Sequence, residues 1–310
     1  MFIVFAYIKF LLRSTNQHGV HSPFVYNLVT RCLYDRKKHP SYALLKQYRS
    51  SLLKDKRAVK VKDFGAGSRV FKLEKREVSK MAKTAGISPK RARLLNRLVR
   101  YLEAKTALEL GTSLGLGTAA LAAGNKIKIT TIEGCPQTAK IASEKFEEFG
   151  LSNIKLMVGK FEEFLMDSGK REVESEKWKE GSGKKTEISN SKFQTPYTKG
   201  TALKSVTRND GADLQFVPNP SSILNTQYSI LFIDGNHQKE ATLFSFEKLL
   251  PTVHNDSVMI FDDIHWSKGM EEAWEEIKAH PKVKVSIDTF QWGLVFFRKE
   301  QEKEHFVIRV

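Results

Sequence analysis

Five short apolar runs stand out in the second two thirds of the chain. They are TALEL (106–110), KITTIE (128–133), IKLMV (154–158), YSILFID (228–234) and SVMIFDD (257–263). Each is continuously apolar over about four or five residues, without alternation, which predicts parallel strands covered on both faces. Segments of helical periodicity separate them, such as PQTAKIASEKFEEFG (136–150), which begins with Pro136 and ends with Gly150. The alternation predicts a doubly wound α/β sheet.

The end of the chain has a different pattern. KVKVSID (282–288) and GLVFFRK (293–299) are separated only by TFQW (289–292). Because four residues are too few for a crossover helix, the two runs predict an antiparallel hairpin. The expected fold is therefore a mainly parallel, Rossmann-like, seven-stranded sheet with a terminal antiparallel hairpin. A dinucleotide-binding sheet would continue with parallel units instead.

Residues 1–104 predict a basic, mostly helical region that precedes the sheet and lies on its substrate side. Its clearest helix is SPKRARLLNRLVRYLEA (88–104), in which Ser88 caps, Pro89 occupies the first turn and the leucines form one face. The sheet domain is assigned to residues 105–310. An interruption at 167–222, rich in Ser, Gly, Lys and Thr, predicts a disordered insertion in that domain.

The positive charge is concentrated near the start of the chain. Residues 1–105 hold 25 Lys and Arg against 6 Asp and Glu, which gives them a net charge of +19. The remaining residues have a net charge of −3, so the whole chain has +16. Such a block suits nucleic acid, an anionic membrane surface or an acidic small substrate, and it also suits a solvated helical surface.

Two features bear on where the protein resides. The stretch MFIVFAYIKFLL (1–12) has no basic region before it and no small-residue cleavage site, and it is too short to span a bilayer. It predicts a buried or interfacial helix, with a membrane-surface anchor as the alternative. Two cysteines are too few for a disulfide scaffold and suit a reducing compartment. A cytoplasmic location is expected.

Two glycine-rich turns compete as a nucleotide loop. ELGTSLG (109–115) follows the first strand and precedes a helix, and Glu133 ends the next strand, which is the setting of an adenosine-binding loop. The overlapping GLGTAA (115–120) fits a dinucleotide pattern but lies out of register, since Gly111 already occupies the strand end. DFGAGS (63–68) has no following strand and acid, so Gly65 and Gly67 predict a turn in the substrate-side region.

Several motifs in order carry a family resemblance. ELGTSLG, Glu133, VGKFEE (158–163), FIDGNH (232–237), DDIHW (262–266) and the hairpin together resemble a class I S-adenosylmethionine-dependent methyltransferase over about residues 90 to 298. The resemblance implies the following cofactor contacts: Gly111, Thr112, Ser113 and Gly115 around the methionine part, Glu133 at the ribose, Lys160 and Phe161 at the adenine, Glu109 at the amino group, and Asp234 beside them. Phe161 equally suits simple packing at a helix start.

On the acceptor side the chain resembles the metal-dependent catechol and caffeoyl-CoA O-methyltransferases. That likeness implies that Asp234, Asp262 and Asp263 hold Mg²⁺ or another divalent cation, for which carboxylates are suitable ligands. His237 stands where those enzymes usually carry a lysine, and histidine can serve as a base near neutral pH. His237, Asp234 and Asp263 are the predicted catalytic residues. The DGNH turn also resembles O-methyltransferases that do not always use a metal, so the cation stays open.

The expected function is methyl transfer from S-adenosylmethionine to an oxygen of a small-molecule acceptor. One alternative is an RNA-directed methyltransferase that holds phosphates with the basic N-terminal region, so nucleic acid remains a less favoured partner. Another is an inactive cofactor-binding or assembly protein. An NAD-dependent oxidoreductase is disfavoured by the register of the loop and by the hairpin. Neither the acceptor nor the oligomeric state follows from the sequence.

Overall fold

A computed structural model of the chain describes residues 2–61, 74–84, 86–166 and 221–310, with the side chains of 221 and 222 left out. The predicted turn at Gly65 and Gly67 lies outside these residues. The predicted insertion at 167–222 also lies outside them, apart from the backbone of its last two residues.

Helices surround the sheet on both faces. They are α1 (Phe2–Arg13), α2 (Pro23–Leu28), α3 (Ser41–Lys54), α4 (Val78–Thr84), α5 (Pro89–Tyr101), α6 (Leu116–Ala122), α7 (Pro136–Glu148), α8 (Phe161–Leu165), α9 (Ser221–Leu224), α10 (Lys239–Leu249) and α11 (Lys268–Ala279). Short 3₁₀ turns occupy Gln17–Gly19 and Leu250–Thr252, and a π turn at Val29–Leu33 continues α2. The predicted start of α5 is present, since the Ser88 side chain accepts a hydrogen bond from the backbone N–H of Arg91.

The strands form a two-stranded ribbon and one large sheet. They are β1 (Ala58–Lys60), β2 (Lys75–Glu77), β3 (Thr106–Leu110), β4 (Lys128–Glu133), β5 (Ile154–Val158), β6 (Tyr228–Ile233), β7 (Val253–Asp262), β8 (Val285–Asp288), β9 (Trp292–Phe296) and β10 (Glu304–Val307). The large sheet has the order β10-β8-β9-β7-β6-β3-β4-β5, and the ribbon pairs β1 with β2.

The sheet confirms the predicted architecture and extends it. Strands β3 to β7 are parallel, while β9 runs antiparallel to both β7 and β8, so the seven predicted strands and the hairpin are present. An eighth strand, β10, pairs parallel with β8. The sequence pattern does not reveal β10 because its four residues include a glutamate and a histidine and form no apolar run.

Helix α1 rests on the molecule by one side only. Ala6 and Phe10 are buried, and the Phe10 ring lies 5.4 Å from the ring of Phe290 in the β8–β9 turn. The segment after α1 is fixed to the sheet edge, because Thr15 bridges to Ile308. Ile3 and Leu11 are half-buried. The other apolar side chains of α1 are exposed, namely Phe2, Val4, Phe5, Tyr7, Ile8 and Leu12. None of the helices in the described ranges is long and apolar enough to cross a membrane.

The N-terminal elements share a core with one face of the sheet. A single cluster of buried side chains joins Tyr48 of α3 and Leu95 of α5 to Ile129 of β4 and Phe232 of β6. A second cluster fills the other face and includes Leu231, Met259, Phe246 and Trp274. Both faces of the parallel strands are therefore covered, as their continuous apolar runs predict.

The domain boundary at 104 and 105 stays a prediction. The mostly helical region also contains the ribbon, whose two three-residue strands are too short to show in the pattern.

Candidate active site at the carboxyl ends of the strands

The loop after β3 begins with a residue that must be glycine. Gly111 has φ of +102°, and a Cβ atom there would collide with the carbonyl oxygen of Asp234. The backbone N–H of Asp234 in turn donates to the carbonyl of Leu110 at 2.9 Å. The ends of β3 and β6 therefore lie directly against each other. The first predicted cofactor residue and the first predicted acceptor-side acid consequently share one edge of the sheet.

The rest of the loop is held by backbone turns and by the N-terminal region. Ser113 and Gly115 have φ of +49° and +76°, and the N–H of Gly115 donates to the carbonyl of Thr112 at 2.8 Å. The hydroxyl of Tyr48, from α3, donates to the carbonyl of Leu114 at 3.0 Å. Sequence reasoning missed Tyr48, since nothing in its local pattern separates a loop-supporting tyrosine from an ordinary core residue.

Glu133 lies beside the loop, at the end of β4. One carboxylate oxygen accepts the backbone N–H of Ser113 at 2.6 Å. The other accepts the N–H of Cys135 at 2.9 Å and the hydroxyl of Thr138 at 3.1 Å. Glu133 therefore ties the loop to the start of α7. Its predicted contact with a ribose stays a prediction.

Two predicted cofactor residues, Glu109 and Thr112, belong to one buried hydrogen-bonded group next to the loop. Glu109 is fully buried, and its Oε2 accepts the hydroxyl of Thr131 at 2.7 Å and that of Thr118. The hydroxyl of Thr112 joins the same group through Thr131 at 2.6 Å. Burial raises the pKa of Glu109 to about 7. Its Oε1 has no hydrogen-bond partner among the described residues and lies against Gly117. Whether either residue contacts a cofactor is untested.

Phe161 and Lys160 lie at the start of α8, just after β5. The Phe161 ring packs on Gly235, where any side chain would collide with it. The backbone N–H of Lys160 donates to Oε2 of Glu163 at 3.2 Å. Phe161 thus lies next to the end of β6, close to the loop. Its role at an adenine ring stays a prediction.

A cluster of ionisable side chains follows β6 and β7. Asp234, His237 and Asp262 each offer one ligand atom, and these three atoms all lie within 4.8 Å of one another. The carboxyl group of Asp234 is withdrawn from water and faces the charge of Asp262, so its pKa is raised well above the usual value. The structure thus brings together three of the residues predicted for the acceptor side.

The Asp262 carboxylate is fixed by two donors on one oxygen. Its Oδ1 accepts the indole N–H of Trp292 at 2.7 Å and the guanidinium Nη1 of Arg91 at 2.7 Å. Arg91 comes from the first turn of α5, so the N-terminal region contributes a cation to the cluster. Sequence reasoning missed both donors. Arg91 is one of several basic residues on α5, and Trp292 reads as a core residue of the hairpin.

Asp263 lies in the turn after β7 and not within the three-residue group. Its φ is +53°, its N–H donates to the carbonyl of Gln291 at 2.7 Å, and its carbonyl accepts the N–H of Trp266 at 2.8 Å. The Trp266 ring lies 6.3 Å from the ring of His237. The group of three ligand atoms includes His237 and not Asp263. The role of Asp263 itself is untested.

The donor set suits a divalent cation. Two carboxylates and an imidazole are usual ligands of such ions. Burial first, and then the facing Asp262 carboxylate, raise the pKa of Asp234, and a cation or a shared proton would relieve both effects. The hydrogen bonds that Arg91 and Trp292 donate to Asp262 Oδ1 are of the kind that orient a metal-binding carboxylate.

Part of the chain matches a known protein family. A family model described as a methyltransferase domain matches residues 190–264, which include the ends of β6 and β7. The match covers about a quarter of the chain and agrees, as does the strand order, with the predicted class. A search of curated proteins finds no match.

Three solved structures resemble the chain at low identity. The O-methyltransferase from Bacillus cereus, in complex with SAH, is 16% identical, with 86% of this chain and 94% of that chain covered and a TM-score of 0.46. The SAH-bound methyltransferase PaMTH1 from Podospora anserina is 10% identical, with 91% and 98% covered and a TM-score of 0.49. The O-methyltransferase TomG from Streptomyces achromogenes, involved in tomaymycin synthesis and bound to SAM, is 14% identical, with 92% and 99% covered and a TM-score of 0.47.

Proposed function

We propose that the chain is an S-adenosylmethionine-dependent methyltransferase that methylates an oxygen of a small-molecule acceptor. One observation carries the proposal. The glycine loop and the Asp234, His237 and Asp262 cluster lie at the same edge of the sheet and meet at the contact between Gly111 and Asp234. A cofactor on the loop would therefore have its reactive group beside the cluster.

The cofactor would be held by the loop edge. S-adenosylmethionine supplies a methyl group already activated on a sulfonium sulfur. Glu133 would accept hydrogen bonds from ribose hydroxyls in exchange for its present contact with the N–H of Ser113. The Phe161 ring offers an apolar surface at the neighbouring strand end. The resemblance to class I methyltransferases implies these roles for Glu133 and Phe161, and both residues lie at the same edge of the sheet.

The acceptor side would align a hydroxyl and remove its proton, which are the main tasks in this displacement. The His237 ring has no hydrogen-bond partner among the described residues, so a ring nitrogen is available as the base. Trp266 beside it supplies an apolar wall. Asp262 is kept in place by Arg91 and Trp292. An oxygen acceptor is favoured because the DGNH turn lacks the Asn/Asp-Pro-Pro-Tyr/Phe sequence expected of enzymes that methylate nucleic-acid amino groups.

A divalent cation fits the same three side chains. Asp234, His237 and Asp262 would hold it, and it would act as a Lewis acid that lowers the pKa of an acceptor hydroxyl. Chelation separates the two roles of His237. Turnover that survives EDTA assigns His237 as the base, whereas turnover lost to EDTA and restored by Mn²⁺ assigns it as a ligand.

The proposal is tested by methyl transfer from labelled S-adenosylmethionine to a panel of catechols, phenols and hydroxy acids. His237→Ala should lower kcat at least about 100-fold, the usual scale of general-base catalysis, with the Kd for SAH unchanged. His254→Ala is the matched control, because His254 lies near the opposite end of β7 from Asp262. Equal turnover of wild type and His237→Ala on an accepted substrate would contradict the assignment.

A further inference from the structure

A cavity outside the candidate active site lies between α3, α5 and α6. It has a volume of about 360 Å³, which is within the usual range for small-molecule sites. Its walls are mostly apolar, and Leu45, Ile87, Ala92 and Leu116 among them are buried. Lys46, Arg49 and Arg93 also line it. The cavity thus has an apolar interior with basic groups at its margin.

A basic groove adjoins this cavity. It has a volume of about 740 Å³, and Pro89 and Arg93 line both spaces. Five cationic side chains line the groove, namely those of Arg36, Lys90, Arg93, Arg97 and Arg309. Its one acidic side chain, Asp35, is paired with His39 at 3.0 Å.

Cations outnumber carboxylates in the lining of the groove. The Arg97 guanidinium donates to the carbonyls of Cys32 and Leu33 and to the hydroxyl of Tyr42, all of which are uncharged. Lys90 donates at 2.7 Å to an oxygen of Val310, the last residue of the sequence, whose carboxylate offsets this one cation. Within the described ranges, no Asp or Glu side chain forms an ion pair with any of the five. The groove therefore presents a concentrated positive charge that favours an anion.

The two spaces lie on the far side of α5 from the acid cluster. Successive residues of an α-helix are about 100° apart, so Arg91 and Arg93 point in roughly opposite directions. Arg91 reaches Asp262, whereas the Arg93 guanidinium lies 5.4 Å from the centre of the Tyr42 ring, between the cavity and the groove. A ligand here would not be the methyl acceptor.

We propose that the cavity and the groove form one binding site for a small amphipathic anion. The apolar body of the ligand occupies the cavity, and its carboxylate or phosphate group lies in the groove against Arg93 and the neighbouring cations. Neither part suffices alone, because the cavity offers little to a charge and the groove offers little to an alkyl chain. The site is additional to the proposed methyl transfer and does not depend on it.

Calorimetric titration of the full chain tests the proposal with four probes. Decanoate and decyl phosphate each combine an alkyl chain with an anionic group, while decanol and inorganic phosphate each supply one part. At least one of the two anionic amphiphiles should bind at least about 10-fold more tightly than either partial probe, and the tighter one identifies the head group. Binding of neither, or equal binding of decanol, would overturn the proposal.

Two variants locate the binding. Ala92→Phe fills the cavity and should weaken binding of the preferred amphiphile at least about 10-fold. Arg93→Gln removes the shared cation at an exposed position, so it provides the test even where Ala92→Phe does not fold, and it should weaken binding about 5-fold or more. Lys140→Gln, an exposed cation on α7, should leave the Kd unchanged. Unchanged affinity in Arg93→Gln, or in a folded Ala92→Phe, would place binding elsewhere, as on the exposed apolar side of α1, and would refute the site.

Discussion

The absence of a side chain at Gly111 lets β3 and β6 end side by side. Gly111→Ala would introduce both a left-handed backbone strain and a collision with the carbonyl of Asp234. We expect SAH binding to be lost and the melting temperature to fall clearly, as calorimetry and thermal unfolding would record. Gly150→Ala is the control, since Gly150 has φ of +65° but no atom near its Cβ position. It should lower stability by only about 1–2 kcal/mol and retain SAH binding; similar losses in both variants would contradict this explanation.

Because Glu109 is buried, its ionisation should lower the free energy of unfolding as the pH rises. Its pKa is about 7 when folded, against 4.5 for an ordinary glutamate, so the folded state keeps a proton that the unfolded chain releases. The stabilisation present below pH 4.5 is lost between about pH 4.5 and 7. Glu109→Gln imitates the protonated form. Its free energy of unfolding relative to wild type should therefore increase by about 2 kcal/mol between pH 5 and pH 8.5. Denaturant unfolding measures this, with Glu240→Gln, on exposed Glu240, expected to show no such trend.

At the scale of elements, the β8–β9 turn provides the seat of α1. The Phe290 ring contacts both Tyr7 and Phe10 of α1 and stacks on His265 at 5.2 Å. His265 is bonded to Glu271 at 2.7 Å and to Asp288 at 2.9 Å. Burial opposes its charge, but these two acids outweigh burial and raise its pKa. The histidine thus fixes the ring on which α1 rests.

Phe290→Ala should release α1 without unfolding the sheet, because it removes the aromatic contacts that bury Phe10. Amide hydrogen exchange across residues 2–13 should become at least about 10-fold faster, while exchange in β3 to β7 stays slow. Leu12→Ala is the control, as Leu12 is 84% exposed. Unchanged exchange in α1 of Phe290→Ala would show that the bridge at Thr15 alone holds the helix.

The elements also show how far the sequence predicts the structure. The parallel strands are predictable because each is buried on both faces and so forms a continuous apolar run. Gly111, Glu133, Asp234 and Asp262 are predictable because strand ends in such sheets converge at one edge. Arg91, Tyr48 and Trp292 are not, because only tertiary packing brings them there. The structure groups His237 with Asp234 and Asp262, and the left-handed turn at Asp263 could not be predicted from the sequence.

At the scale of the molecule, one continuous core links the N-terminal helices to the sheet. Buried side chains of α3, α5, β4 and β6 belong to the same cluster. Because neither part could keep its buried surface alone, we expect one cooperative unfolding transition. Amide hydrogen exchange in α5 and in β4 should then give the same free energy of unfolding. Differential scanning calorimetry tests this expectation. Two resolved transitions would show that residues 1–104 form a separate folding unit.

The central claim is that cofactor and acceptor meet at the edge where Gly111 contacts Asp234. A crystal structure with SAH and Mn²⁺ tests it most directly. The account predicts SAH against the loop from Gly111 to Gly115, with its ribose at Glu133 and its sulfur facing His237, and any bound Mn²⁺ between Asp234, His237 and Asp262. SAH bound against Gly65 and Gly67, or away from the ends of β3 and β4, would contradict it.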